Sequence, residues 1–249
     1  MKEAGDWNAA GQAQPAEVEP GTLYLVSTPI GNLRDISLRA LDVLAAVDLI
    51  AAEDTRTSRI LLQHYAIPTP LTSYHDHNEE RAAPLLVQKL VQGASIALIS
   101  DAGTPGISDP GFYLVRAALQ AGCRVVAVPG ATAFVPALIA SGLPAERFVF
   151  EGFLPHKKGR QTRLQALREE PRTMIFYESP LRLERLLREV HALLGDRPAA
   201  IAREVTKKFE EIRRGTLAEL IAGSATLVKK GEFVVMVAGR PRNSKEASE

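Results

Sequence analysis

Residues 96–111 constrain the fold more than any other stretch. They read Ile-Ala-Leu-Ile-Ser-Asp-Ala-Gly-Thr-Pro-Gly-Ile-Ser-Asp-Pro-Gly. The apolar run 96–99 has the pattern of a strand buried on both faces. It runs straight into a loop with three glycines, two prolines and two aspartates, which is too polar and too bent for a core. A buried strand ending this way belongs at the carboxyl edge of an open parallel sheet. Ligands of α/β folds bind at that edge.

The same rhythm repeats through the first half. Residues 22–27 form a β-rich run ending in Thr28-Pro29-Ile30-Gly31-Asn32, and Ser37 is a ready N-cap for a helix to about 46. An apolar strand at 48–52 meets Glu53-Asp54-Thr55-Arg56, with a helix to about 64. A short strand at 71–74 precedes a long amphipathic helix from Asn78. After the 96–99 strand come a helix at 111–120, a strand at 124–128, and Pro129-Gly130-Ala131-Thr132 opening another helix. Strand–helix alternation predicts a mostly parallel sheet covered on both faces.

The turn 141–144 (Ser-Gly-Leu-Pro) reads as a boundary. Beyond it, strands are expected at 147–152, 173–177, 199–203, 210–214 and 232–238, with helices at 180–194 and 217–221. This is a second α/β domain with more antiparallel pairing. The organisation is therefore a disordered tail 1–20, a first domain 21–140, a second 145–240 and a frayed tail 241–249.

Formal net charge is only +1, so any nucleic-acid surface must be local. Residues 151–214 supply one, with 15 Lys and Arg against 10 Asp and Glu. A single cysteine, Cys123, allows no intramolecular disulfide and no cysteine-rich zinc site. No run of about 18 apolar residues suggests a membrane span, and the N-terminus lacks a secretory pattern. A cytoplasmic protein without a membrane or metal partner is expected.

Several clusters carry possible chemistry, each with a plain structural reading beside it. The loop from Asp101 brings backbone groups close to a flat ligand, or is a connection in which Asp101 caps the next helix. Arg34 holds a phosphate or pairs with Asp35. Glu53 and Asp54 face a cleft or simply complement a helix dipole. His75, Asp76 and His77 have poor metal spacing, since strand neighbours point to opposite faces. Lys157-Lys158-Gly159-Arg160 with Arg163 is a phosphate-binding loop or a solvated one. Arg182, Arg185 and Arg188 share a helix face.

Taken together, the ordered motifs resemble one family. They are Val26–Asp35, Ala52–Arg56, Ser100–Gly111, Val128–Thr132, Phe150–Pro155, Phe176–Pro180 and Arg203–Lys208. The resemblance, over about residues 21–240, is to the tetrapyrrole-methylase-like (class III) methyltransferases. Within them it is to the ribose 2′-O-methyltransferases of small-subunit (16S) ribosomal RNA.

The resemblance implies two α/β domains with S-adenosylmethionine in the interdomain cleft of a homodimer. It implies cofactor contacts from Pro29, from Asp101, Ala102, Gly103, Thr104, Pro105 and Gly106, from Ala131 and Thr132, and from Phe153 and Tyr177. It also implies transfer to a cytidine ribose in the decoding centre. By chemistry, Asp54, His75 or Glu178 can take the hydroxyl proton, and Lys207 can stabilise an alkoxide. Arg34, Arg56, Lys157, Lys158 and Arg160 are the candidates for RNA. The alternatives are a tetrapyrrole methyltransferase of the same superfamily and a non-catalytic RNA-binding module.

Overall fold

The computed structural model describes residues 17–228 and 230–241. Most of the two expected tails lies outside the described residues. Residues 17–20 do not: Val18 packs on the core, and the Glu19 N–H donates to the Tyr24 hydroxyl at 2.8 Å. The chain divides into two compact units, Met1–Thr132 and Ala133–Glu249.

The first unit is built on β1 (Thr22–Val26), β2 (Leu49–Ala52), β3 (Leu71–Ser73), β4 (Ile96–Ile99) and β5 (Arg124–Val128). All pairings are parallel, in the order β3-β2-β4-β1-β5. Its helices are α1 (Leu38–Ala46), α2 (Thr55–His64), α3 (Glu79–Val91) and α4 (Phe112–Gln120). Because strand side chains alternate, the sheet has two apolar faces. Tyr24, Ile50, Ala97 and Ile99 meet Val43, Leu44 and Leu62 of α1 and α2. Leu23, Ala51, Ile96 and Leu98 meet Leu86, Leu90 and Leu114 of α3 and α4.

This order creates a switch point. β1 and β4 are neighbours, yet the chain leaves β1 through α1 on one face and leaves β4 through α4 on the other. Adjacent strands whose connections diverge leave a crevice beyond their carboxyl ends. The glycine-rich loop after β4 and the Pro29 loop after β1 flank that crevice.

The second unit contains β6 (Phe148–Phe153), β7 (Thr173–Glu178), β8 (Pro198–Arg203), β9 (Glu211–Thr216) and β10 (Phe233–Val237). Their order is β6-β7-β10-β8-β9; only β6 and β7 pair in parallel. The helices are α5 (Phe134–Ser141), α6 (Arg160–Ala166), α7 (Leu183–Leu194) and α8 (Leu217–Gly223). In α7 the buried Leu183, Leu186, Leu187, Val190 and Leu194 follow helical spacing and pack on Met174, Phe176 and Val235 of the sheet. Helix α5 packs against β8, β9 and β10. It belongs to this unit, so the turn at 141–144 lies inside the second unit.

A bulge between Phe150 and Gly152 shifts the register of β6 and brings Phe153 opposite Tyr177. The bulged Glu151 receives Arg163, at 2.6 and 2.9 Å. Of the expected basic loop Lys157-Lys158-Gly159-Arg160 with Arg163, both arginines lie in a helix, because α6 begins at Arg160. No helix among the described residues is long and apolar enough to cross a membrane.

Candidate functional site

In the first unit, three loops at the carboxyl edge are bonded into one piece. The Thr28 N–H donates to the Gly103 carbonyl at 2.8 Å, and the Gly103 N–H returns to the Thr28 carbonyl at 3.1 Å. The Thr28 hydroxyl donates to the Ser100 carbonyl at 3.1 Å. Gly103 meets this bridge with φ +94°, in the region that favours glycine.

Thr104 links the third loop. Its hydroxyl donates to the Ala131 carbonyl at 3.0 Å and lies 2.9 Å from Ser27 Oγ and 2.6 Å from Thr132 Oγ1. A hydroxyl has one proton to give, so with that proton on Ala131 the Thr132 hydroxyl donates to Thr104, and the Ser27 proton is shared between Thr104 and the Val128 carbonyl at 3.3 Å. Gly130 completes the junction: a Cβ there would stand 2.7 Å from Ser27 Cβ. Ser27, Thr28, Gly103, Thr104, Ala131 and Thr132 are thereby brought together.

The rim of this junction is acidic. The Asp54 N–H donates to Asp101 Oδ1 at 3.0 Å, and the Asp101 N–H donates to Glu53 Oε2 at 3.2 Å. Asp101 therefore clamps the loop after β2. It does not cap the next helix, where Gly111 holds the cap position of α4. Burial raises the pKa of the Asp101 carboxyl, and the Asp54 charge adds to that. Glu53 is raised by burial, with Asp101, Asp76 and Asp54 contributing. Asp109 is pushed up to about 7 by burial, against a hydrogen bond from Ser100, with Glu53, Asp101 and Asp76 adding repulsion. Among the described residues, no group of three or more His, Cys, Asp or Glu is placed to hold a metal ion.

Other candidates of this unit have settled partners. Asp54 caps α2 through the Arg56 N–H at 2.8 Å and takes the Arg56 guanidinium on both oxygens. The Arg56 bonds hold the Asp54 carboxyl down at about 2, a weak proton acceptor. The guanidinium of Arg56 is exposed but committed to that carboxylate. Arg34 is exposed in a single 3-10 turn and makes no ion pair among the described residues. The His75 N–H donates to Asn78 Oδ1 at 2.9 Å, while its ring Nδ1 is buried without a hydrogen-bond partner.

In the second unit, Tyr177 and Phe153 pack edge to face, their ring centroids 5.5 Å apart. The Tyr177 hydroxyl oxygen accepts the Phe134 N–H at 3.2 Å. Phe153 stays about half exposed, at 53 %.

Arg160 requires a correction. Placed among the RNA candidates from its basic neighbours, it is only 2 % exposed. Its Nε donates to Glu189 at 2.7 Å, Nη1 to the Pro155 carbonyl at 3.3 Å, and Nη2 lies 3.6 Å from Glu178. A guanidinium so buried and paired is not available to a phosphate. Glu178 is equally buried and accepts from Arg182 Nε at 2.7 Å and the Ser179 N–H at 2.8 Å. It is a structural carboxylate and not an open base.

Lys207 Nζ bridges Glu204 and Glu232 at 3.0 and 2.9 Å. Burial opposes its charge, but the two carboxylates outweigh that and raise its pKa. The expected arginine face of α7 is likewise spent on acids: Arg182 on Glu178, Arg185 on Glu189 and Arg188 on Glu184. Lys157 and Lys158 remain exposed without ion pairs among the described residues.

Asp109 is a rim residue that is not among the sequence candidates. Its signal was its place: a second aspartate in the β4 loop, ahead of Pro110-Gly111.

Residues 22–221 match the family model for tetrapyrrole (corrin/porphyrin) methylases. The chain belongs to the tetrapyrrole methylase family. This tetrapyrrole methylase is 56 % identical over 223 residues to ribosomal RNA small subunit methyltransferase I of Pseudomonas aeruginosa, covering 88 % of this chain and 79 % of that one. It is 53 % identical over 232 residues to the protein of the same name from Escherichia coli O157:H7, covering 92 % and 81 %.

Among solved structures, it is similar to a uroporphyrin-III C-methyltransferase from Thermus thermophilus complexed with S-adenosylhomocysteine. That match has TM-score 0.63 and 21 % identity, over 86 % of this chain and 96 % of that one. A diphthine synthase matches with TM-score 0.68 at 14 % identity, over 87 % and 90 %. At such identities the likeness shows the fold: a parallel five-stranded sheet and a mixed five-stranded one.

Proposed function

We propose that this tetrapyrrole methylase transfers a methyl group from S-adenosylmethionine to small-subunit ribosomal RNA, on the ribose 2′ oxygen of a decoding-centre cytidine. The observation that carries the reading is the similarity, above half identity over nearly nine-tenths of the chain, to the small-subunit rRNA methyltransferases. The cytidine, the ribose oxygen and a homodimeric, cytoplasmic enzyme are the finer parts of the proposal and rest on the motif resemblance.

The residues of the first unit suit the cofactor. S-adenosylmethionine, when bound, supplies an electrophilic methyl on a sulfonium and carries a second cationic group in its ammonium. The Asp101 charge raises the pKa of Glu53, and the Glu53 and Asp101 charges raise that of Asp109; a cation relieves that repulsion. Pro29, residues 101–106, Ala131 and Thr132 surround the hydroxyl junction, whose cross-links hold the loops rigid. Phe153 and Tyr177 are proposed adenine contacts on the resemblance.

Three of the four side chains considered for the hydroxyl are occupied. Asp54 is weakly basic, Glu178 is sealed by arginines and Lys207 sits between carboxylates. We therefore assign these residues no proton transfer; the chain contributes chiefly by orienting the reactants. Lys157, Lys158 and Arg34 are the proposed phosphate contacts. The tetrapyrrole alternative draws on the family model's description, and the basic surplus of residues 151–214 argues against it.

Calorimetry with S-adenosylmethionine tests the cofactor half. The wild type should bind, and Asp101→Ala should lose binding while keeping its fold by circular dichroism. A wild type with no affinity for the cofactor would leave the non-catalytic RNA module as the better reading.

A further inference from the structure

The sheet of the second unit gathers loops at one end. β7 and β8 both run antiparallel to β10, with Glu178 and Arg203 each opposite Phe233. β6 runs parallel to β7, with Phe153 opposite Tyr177. Three strands thus send their carboxyl ends to one edge. The lysine loop follows β6, Ser179 follows β7, and the turn 204–210 follows β8.

That turn is held from several sides. Glu204 and Thr206 have left-handed φ values of 51° and 68°, which a β-branched residue such as Thr206 adopts only under constraint. The buried Arg203 guanidinium donates to the carbonyls of Lys230 at 2.9 Å and Phe209 at 3.2 Å. Lys207 ties Glu204 to Glu232, and Glu210 Oε2 accepts the Thr206 N–H at 2.6 Å.

What this fixed turn displays is an aromatic ring and a cation. Phe209 is 64 % exposed although its carbonyl is pinned by a buried arginine. Lys208 Nζ lies 5.6 Å from the centre of that ring and has no ion pair among the described residues. This ring, with the cation beside it, makes a compact patch on the turn. It is the right size for one base. Aromatic rings stack on unpaired bases while a neighbouring lysine meets the phosphate.

We propose that the Lys208–Phe209 tip is a stacking site for an unpaired base of the RNA substrate. The proposal rests on the RNA reading above. Being preformed, the tip spends little ordering entropy on binding.

The test is steady-state methylation of isolated small ribosomal subunits lacking the mark, using the full chain. Phe209→Ala should raise KM for the subunits by about 5- to 150-fold, the range of a lost base stack. The kcat and the S-adenosylmethionine affinity should stay near wild type, because stacking binds ground and transition states alike. Phe209→Tyr should keep the low KM, and Phe209→Leu, apolar without a π face, should behave as alanine. An active wild type whose Phe209→Ala or Phe209→Leu variant keeps the wild-type KM overturns the stacking site alone. A wild type that methylates no RNA overturns the functional reading beneath it.

Discussion

Asp109→Asn should stabilise the protein at neutral pH. In the folded chain the Asp109 carboxyl is raised from 3.8 to about 7, because burial strips water from the carboxylate and Glu53, Asp101 and Asp76 repel it. The folded state therefore holds this proton more tightly than the unfolded one. For this group, stability is full below the unfolded value. It is lost as pH rises from 3.8 towards 7, and levels off above. Each tenfold step in proton affinity is worth about 1.4 kcal/mol. Roughly three such steps give at most about 4 kcal/mol. Partial exposure screens the carboxylate and brings the expected effect nearer to about 2 kcal/mol.

Asparagine keeps the shape and cannot ionise. Urea unfolding of both proteins, from about pH 5 to about pH 8, should show the variant gaining on the wild type up to about pH 7 and keeping that lead above it. A stability difference that does not change with pH would refute the reasoning. Adding S-adenosylmethionine should shrink the neutral-pH gap, since a nearby cation favours the ionised carboxylate.

Replacing Lys157 and Lys158 together by alanine should weaken RNA binding and flatten its dependence on salt, by a slope change of about 1 to 2. Titrations at several salt concentrations measure this, and an equal loss of cofactor affinity would show the loop is misplaced. Arg160→Met leaves Glu178 and Glu189 only the more exposed Arg182 and Arg185 as partners and should cost at most about 3–5 kcal/mol in urea unfolding. A second change, Glu178→Gln, should recover part of that loss; a cost below about 1 kcal/mol would mean the pair matters little.

Strands and loops were largely legible. Buried parallel strands such as β4 are continuous apolar runs, and glycine, proline and aspartate mark their ends. Strand order was not, because nothing local in residues 22–26 says that β4 lies beside them. The ligand edge could be read from composition, but the Thr104 junction joins residues far apart in sequence. Arg160 shows the limit most clearly. In a row with Lys157 and Lys158 it looks like one more solvated cation. Yet Leu164 and Leu167 follow at four and seven residues, and both are buried. That spacing puts Arg160 on the apolar face of α6, a signal available in the sequence and outweighed by the neighbouring charges. Lys207 gave no such hint, because its partner Glu232 comes from a distant segment.

The claim at the centre is methyl transfer to a ribose of small-subunit rRNA. The most direct measurement supplies methyl-labelled S-adenosylmethionine and small ribosomal subunits lacking the mark, then digests the rRNA to nucleosides. Label is expected on the 2′ oxygen of a single cytidine. Label on a base, or no label on the rRNA while a tetrapyrrole accepts it, would contradict the assignment.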